Sequence, residues 1–121
     1  MIRSRSRALP TPRQGDFAIT LFDFEDGRPP RRRPVVVISS DRFNASRREV
    51  VVRAVSSRLD PAGEGDCLLE DWQRGGLQSP SRVTVWLKTV PRGALELRVG
   101  ALTPRDWRLV RTTTRLDILG M

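Results

Sequence analysis

A chain of 121 residues is long enough to bury one hydrophobic core and short for two, so a single domain is expected. It carries 22 basic against 14 acidic residues, a formal charge of +8, and polyanions are its natural company. With no histidine and one cysteine it lacks the commonest general base, any intramolecular disulfide and the usual makings of a zinc site, so neither metal nor cofactor is expected.

Residues 1–14 carry Arg3, Arg5, Arg7 and Arg13 between prolines and read as a flexible basic arm ahead of one folded domain, 15–121. The arm has no apolar stretch of signal-peptide length, and nowhere do eighteen apolar residues run together, so a cytoplasmic protein without membrane contact is expected. From Asp16 to Phe24 the pattern alternates, with Phe17, Ile19 and Leu21 on one face and Ala18, Thr20, Phe22 and Phe24 on the other, a first strand. Asp26-Gly27 and Pro29-Pro30 make the next segment a loop. Pro34 opens a β-branched run predicted as a second strand, and a short helical turn capped by Asp41 precedes a third strand ending at Ser56 and Ser57. A loop follows; Cys67 is expected to be a small buried apolar residue.

Residues 82–90 alternate again, placing Val83, Val85 and Leu87 on one side and Thr84, Trp86 and Lys88 on the other. After a turn at Pro91-Arg92-Gly93 and one or two short strands, Thr103-Pro104-Arg105-Asp106 has the marks of a helix start: capping hydroxyl, proline at the first helical position, acid in the first turn. Trp107, Val110, Thr114 and Ile118 continue at helical spacing to Gly120, giving a helix over 104–119. The fold class is therefore mainly β with a C-terminal helix, a small barrel closed or covered by that helix.

All the basic residues but Lys88 are arginines, whose planar forks grip phosphate oxygens two at a time. Arg31, Arg32 and Arg33 stand together at the mouth of the second strand, either a solvated charge run or a phosphate grip, with Arg28 just upstream. Ser56, Ser57 and Arg58 end the next strand, which sequence adjacency places beside the second, bringing hydroxyls towards Arg33; taken alone they read as capping or turn residues. Trp86 reads either as a packing residue or as a platform for a splayed base, with Lys88 beside it. Trp72 and Trp107 are assigned to core or interface. Asp23, Glu25 and Asp26 are either turn acids or groups that orient Arg33 or serve as base.

The order of these pieces, Gly15-Asp16 opening the first strand, Arg33-Pro34 the second, then Phe43-Asn44 and Ser56, resembles the MazF/PemK family of toxin ribonucleases from Gly15 to Met121. The resemblance implies a homodimeric, SH3-like antiparallel β-barrel of the MazF/PemK/CcdB kind, acting in a type II toxin-antitoxin system. It further implies a sequence-selective endoribonuclease that cuts single-stranded RNA without metal, leaving a 2′,3′-cyclic phosphate, and that an acidic cognate antitoxin neutralises. Catalytic residues carry over to Arg33 and to Ser56, where the family has threonine; RNA contacts are assigned to Arg28, Arg31, Arg32, Ser57, Arg58, Trp86 and Lys88. Val85 and Trp86 depart from a polar pair common in similar proteins, which points to altered base recognition. The related fold also serves toxins that jam a topoisomerase, so a non-catalytic toxin or RNA-binding module is the alternative.

Overall fold

The structure, a computed structural model, describes residues 10–60 and 63–121. Six strands form one antiparallel sheet: β1 (Asp16–Phe22), β2 (Arg31–Val37), β3 (Glu49–Ser56), β4 (Cys67–Leu68), β5 (Arg82–Pro91) and β6 (Leu97–Ala101). Their order across the sheet is β4-β5-β3-β2-β1-β6. Among the described residues two α-helices complete the fold, α1 (Asp41–Ser46) between β2 and β3 and α2 (Pro104–Thr112) after β6, with a short 3-10 turn at Arg92–Ala94. No helix among the described residues is long and apolar enough to cross a membrane.

The period-2 pattern of β1 sorts its residues between two apolar clusters. Ala18 and Phe22 pack with Val35, Val37, Val50 and Val52, while Phe17 packs with Val36, Val55, Val83 and, from α2, Val110. The second cluster also takes in Trp72 and Trp107. The sheet curls, and its two edges are stitched together through the segment that follows β4. Ala101 donates its N–H to the Gly75 carbonyl at 2.9 Å, and the Asp106 carboxylate of α2 accepts from the N–H groups of Glu70 and Asp71 at 3.0 and 2.8 Å. Gly100 permits that seam: a side-chain carbon there would stand 1.8 Å from the Gly75 carbonyl oxygen. The result is the mainly β, barrel-like fold with a C-terminal helix that the sequence implied.

Four local expectations are revised. The second strand begins at Arg31, three residues before Pro34, because Phe22, Leu21 and Thr20 of β1 pair with Arg31, Arg32 and Arg33. Helix α1 is capped by Ser40, whose Oγ accepts the Phe43 N–H at 3.1 Å, and the Asp41 carboxylate instead takes the Gln14 N–H at 2.7 Å. In β5 the alternation breaks at a bulge: Val55 faces Val83 and Arg53 faces Leu87, so Ala54 alone opposes Thr84, Val85 and Trp86. Val83 and Thr84 are consequently both buried, and Val85, Trp86 and Leu87 all exposed. The terminal helix starts as expected, with Thr103 capping the Asp106 N–H at 3.3 Å, but after Thr112 it widens into a π-helical segment, Thr113–Ile118.

Arg53, wholly buried on β3, accounts for the widening. Its guanidinium donates to the Thr113 and Thr114 hydroxyls at 3.0 and 2.9 Å, and both hydroxyls also bond the Val110 carbonyl that a regular helix would use. The same side chain reaches the Thr84 carbonyl at 2.8 Å and the Gly65 carbonyl at 2.6 Å. Residues 1–9 of the expected arm lie outside the described residues. Its end is tied to the domain, since Asn44 donates to the Pro12 carbonyl at 3.1 Å and Gln14 to the Ile38 carbonyl at 2.9 Å.

Candidate active site

The candidate site opens where β2 and β3 part. Their ladder runs over Val35–Val37 and stops at Pro34, which has no N–H to offer it. Continuing that register by two residues puts Ser56 opposite Arg33, and beyond Pro34 the strands are free to diverge. Both residues line a cleft of about 220 Å³, together with Arg28, Arg58 and Trp86. Ser56 accepts the Arg58 N–H on Oγ at 3.1 Å, a turn that leaves the hydroxyl hydrogen free to donate into the cleft.

Arg33 is half-buried, and its guanidinium lies over the Phe24 ring, 5.0 Å from the centroid. Its Nε is buried with no hydrogen-bond partner among the described residues. Buried N–H groups are nearly always satisfied, so the Arg33 guanidinium keeps donor capacity that the described fold does not use. Phe24 is held in turn by Phe22 at 4.8 Å and by Trp86, edge-on at 5.3 Å. An aromatic wall thus fixes the arginine's plane from below without neutralising it.

The remaining residues singled out from the sequence divide into three groups. Arg31 lines an adjoining hollow of about 160 Å³ that also takes in Arg28, Phe24 and Arg33. Arg32 and Ser57 lie on a separate, larger groove of about 650 Å³, where Arg33 is the shared wall; Arg32 is paired with Glu96 at 2.8 Å. Lys88 is outside the cleft, donating to the Asp23 carbonyl at 2.8 Å, paired with Glu25 at 3.3 Å and stacked over Phe22 at 5.4 Å. None of the three loop acids contacts Arg33 through a hydrogen bond: Asp26 grips Arg28 through two bonds of 2.9 and 2.6 Å, which hold its carboxyl below the ordinary range.

Phe24, Asp60, Thr84 and Arg82 also line the cleft. The sequence carried a signal for two of them: Phe24 shares the β1 face with Thr20, the register partner of Arg33, and Arg82 opens β5 opposite Ser56. Thr84 enters through the bulge, which no periodicity shows.

A family model described as PemK-like, MazF-like toxin of type II toxin-antitoxin system matches residues 13–116. No curated protein matches the chain. Among solved structures, a MazF from Deinococcus radiodurans superposes with a TM-score of 0.74 at 19% identity, covering 93% of this chain and 99% of the other. The Mycobacterium tuberculosis toxin MazF-mt6 gives a TM-score of 0.66 at 17% identity, over 81% and 90% of the two chains. A mycobacterial endoribonuclease in complex with its cognate antitoxin gives 0.68 at 14% identity, over 91% and 95%. These likenesses are of fold, while the family match spans all six strands, Arg33, Ser56 and most of the terminal helix. The chain belongs to the PemK-like, MazF-like toxins of type II toxin-antitoxin systems.

Proposed function

We propose that the protein is a metal-independent endoribonuclease toxin that cuts single-stranded RNA sequence-selectively. The observation that carries this reading is Arg33: a guanidinium braced over Phe24 and paired with no acid among the described residues, lining one cleft with Ser56 where β2 and β3 part. RNA supplies its own nucleophile, so the enzyme has only to align the 2′-hydroxyl and stabilise the charge that develops on phosphorus. The 2′-oxygen bonds to phosphorus as the bond to the 5′-oxygen breaks; the 2′-proton leaves to water and the departing oxygen takes one up. The products are a 2′,3′-cyclic phosphate and a 5′-hydroxyl. Arg33 grips the non-bridging oxygens with its fork, and Ser56 donates a further hydrogen bond.

Arg28, Arg31 and Arg58 flank this centre with positive charge, and Trp86, 47% exposed and braced by Phe24, offers a face on which a splayed base stacks. The working form is a homodimer, in keeping with the exposed Leu116, Leu119 and Met121 beyond α2, and with β4 pairing β5 at Arg82 and Val83 alone. A net charge of +8 suits an acidic cognate antitoxin.

Mutation tests the reading. Arg33→Ala lowers the cleavage rate of a susceptible RNA by at least about 100-fold, the loss typical of one oxyanion-stabilising donor. Ser56→Ala costs about tenfold or more, and Ser56→Thr keeps the activity because the hydroxyl remains. Growth arrest that survives Arg33→Ala at equal expression would mean a toxin that acts by binding.

A further inference from the structure

Arg82 and Asp66 form an ion pair inside the fold that the reading above leaves without a task. The Arg82 Nη1 lies 2.6 Å from the Asp66 Oδ2, and the two side chains are 16% and 8% exposed. A surface pair is usually loose; this one is fixed from several directions. Asp66 Oδ2 also accepts the Gly63 N–H at 2.9 Å, and Gly65 next to it is anchored by the buried Arg53 at 2.6 Å. Asp66 is therefore held on its Gly63–Gly65 side by these contacts.

The pair is aimed at the candidate site. Arg82 lines the same cleft as Arg33 and is the register partner of Ser56. Its Nε donates to the Arg58 carbonyl at 2.6 Å, while the Arg58 N–H bonds Ser56 Oγ. Arg82 thus clamps both ends of the short turn that sets the Ser56 rotamer. Of the five N–H donors on a guanidinium, two are used in these contacts, and Nη2 is not among the buried unpartnered atoms. It is open to a ligand in the cleft.

We propose that Arg82, oriented by Asp66, is a second phosphate-binding arginine of the cleft, holding the RNA backbone beside Ser56 while fixing the Ser56–Arg58 turn. The inference rests on the ribonuclease reading, to which it adds a binding group and its positioning residue. Arg33 meets the phosphate from β2 and Arg82 from β5, with Ser56 on the strand between them. A backbone held from both sides is located in two directions, as in-line attack by the 2′-oxygen requires.

The test uses the full-length protein, a single-stranded DNA oligonucleotide as an uncleavable probe, and the matching RNA. Binding is followed by fluorescence anisotropy between about 50 and 400 mM salt, where each phosphate contact on a single strand contributes a slope of about 0.7 in log K against log salt. Arg82→Gln lowers that slope by about 0.7 and slows cleavage. Arg82→Lys keeps the slope, because the charge remains, but cleaves about tenfold more slowly for want of the fork. Asp66→Asn binds the probe as tightly as the wild type or tighter, having lost a negative charge, yet cleaves about tenfold more slowly because Arg82 is no longer aimed. Circular dichroism melts confirm that each variant is folded, and the conservative lysine variant serves if Arg82→Gln is not. An unchanged salt slope in Arg82→Gln, or wild-type cleavage by Arg82→Lys and Asp66→Asn, overturns the proposal. A wild type that binds the probe but cuts no RNA overturns the ribonuclease reading instead, and the slope still decides whether Arg82 meets phosphate.

Discussion

Arg53 is the side chain whose environment departs furthest from its type. Arginine is almost never fully buried without a carboxylate partner, yet here its hydrogen bonds go to the carbonyls of Thr84 and Gly65 and the hydroxyls of Thr113 and Thr114. Burial pushes its guanidinium below the ordinary arginine range, and the nearby Cys67 thiol is pushed up for the same reason. These bonds join β3, β5, the Gly65 loop and the π-helical segment in one node, so truncation takes a donor from four partners at once. Arg53→Ala is expected to cost about 3 kcal/mol or more. In a thermal melt that is a fall of roughly 10 °C or more. The sequence showed Arg53 as one polar residue in an apolar strand, and neither its burial nor its reach to the helix was legible, because both depend on the β5 bulge. That Arg33 and Ser56 lie near each other was legible, since Pro34 and a strand end flag the spot where two neighbouring strands part.

The first strand and the start of the terminal helix could be read from period and capping chemistry, and they hold: β1 alternates, and Thr103-Pro104 starts α2. What escaped were the features that tertiary contacts impose. Residues 82–90 carry one unbroken alternating pattern, yet Thr84 bonds the Ala54 carbonyl through its hydroxyl and bulges the strand, turning Trp86 to the Phe24 side. Residues 104–119 carry one helical pattern, yet the hydroxyls of Thr113 and Thr114 draw the last turns into π geometry. The barrel seam belongs to this scale as well. Gly100 and Gly75 approach so closely that Gly100→Ala must push the seam open, at about 2 kcal/mol in chemical denaturation. Wild-type stability in that variant would show that the curled sheet closes elsewhere.

At the scale of the molecule, a +8 charge attracts polyanions, two diverging strands open a cleft, and Arg33 of β2, Ser56 of β3 and Arg82 of β5 all line it. The chain contains no histidine, so catalysis cannot depend on an imidazole that titrates in the neutral range. The pH–rate profile of RNA cleavage is accordingly expected to show no inflection near about 6.5. A clear break there would point to a proton-transfer group that the cleft does not contain.

The central claim is that Arg33 stabilises a phosphate attacked by its own neighbouring 2′-hydroxyl. The most direct measurement is cleavage, in EDTA, of a synthetic RNA in which single 2′-deoxy substitutions are scanned along the strand. The account predicts that cutting at a given bond stops when the nucleotide on its 5′ side is deoxy and continues when others are. Cleavage indifferent to every deoxy substitution would contradict it.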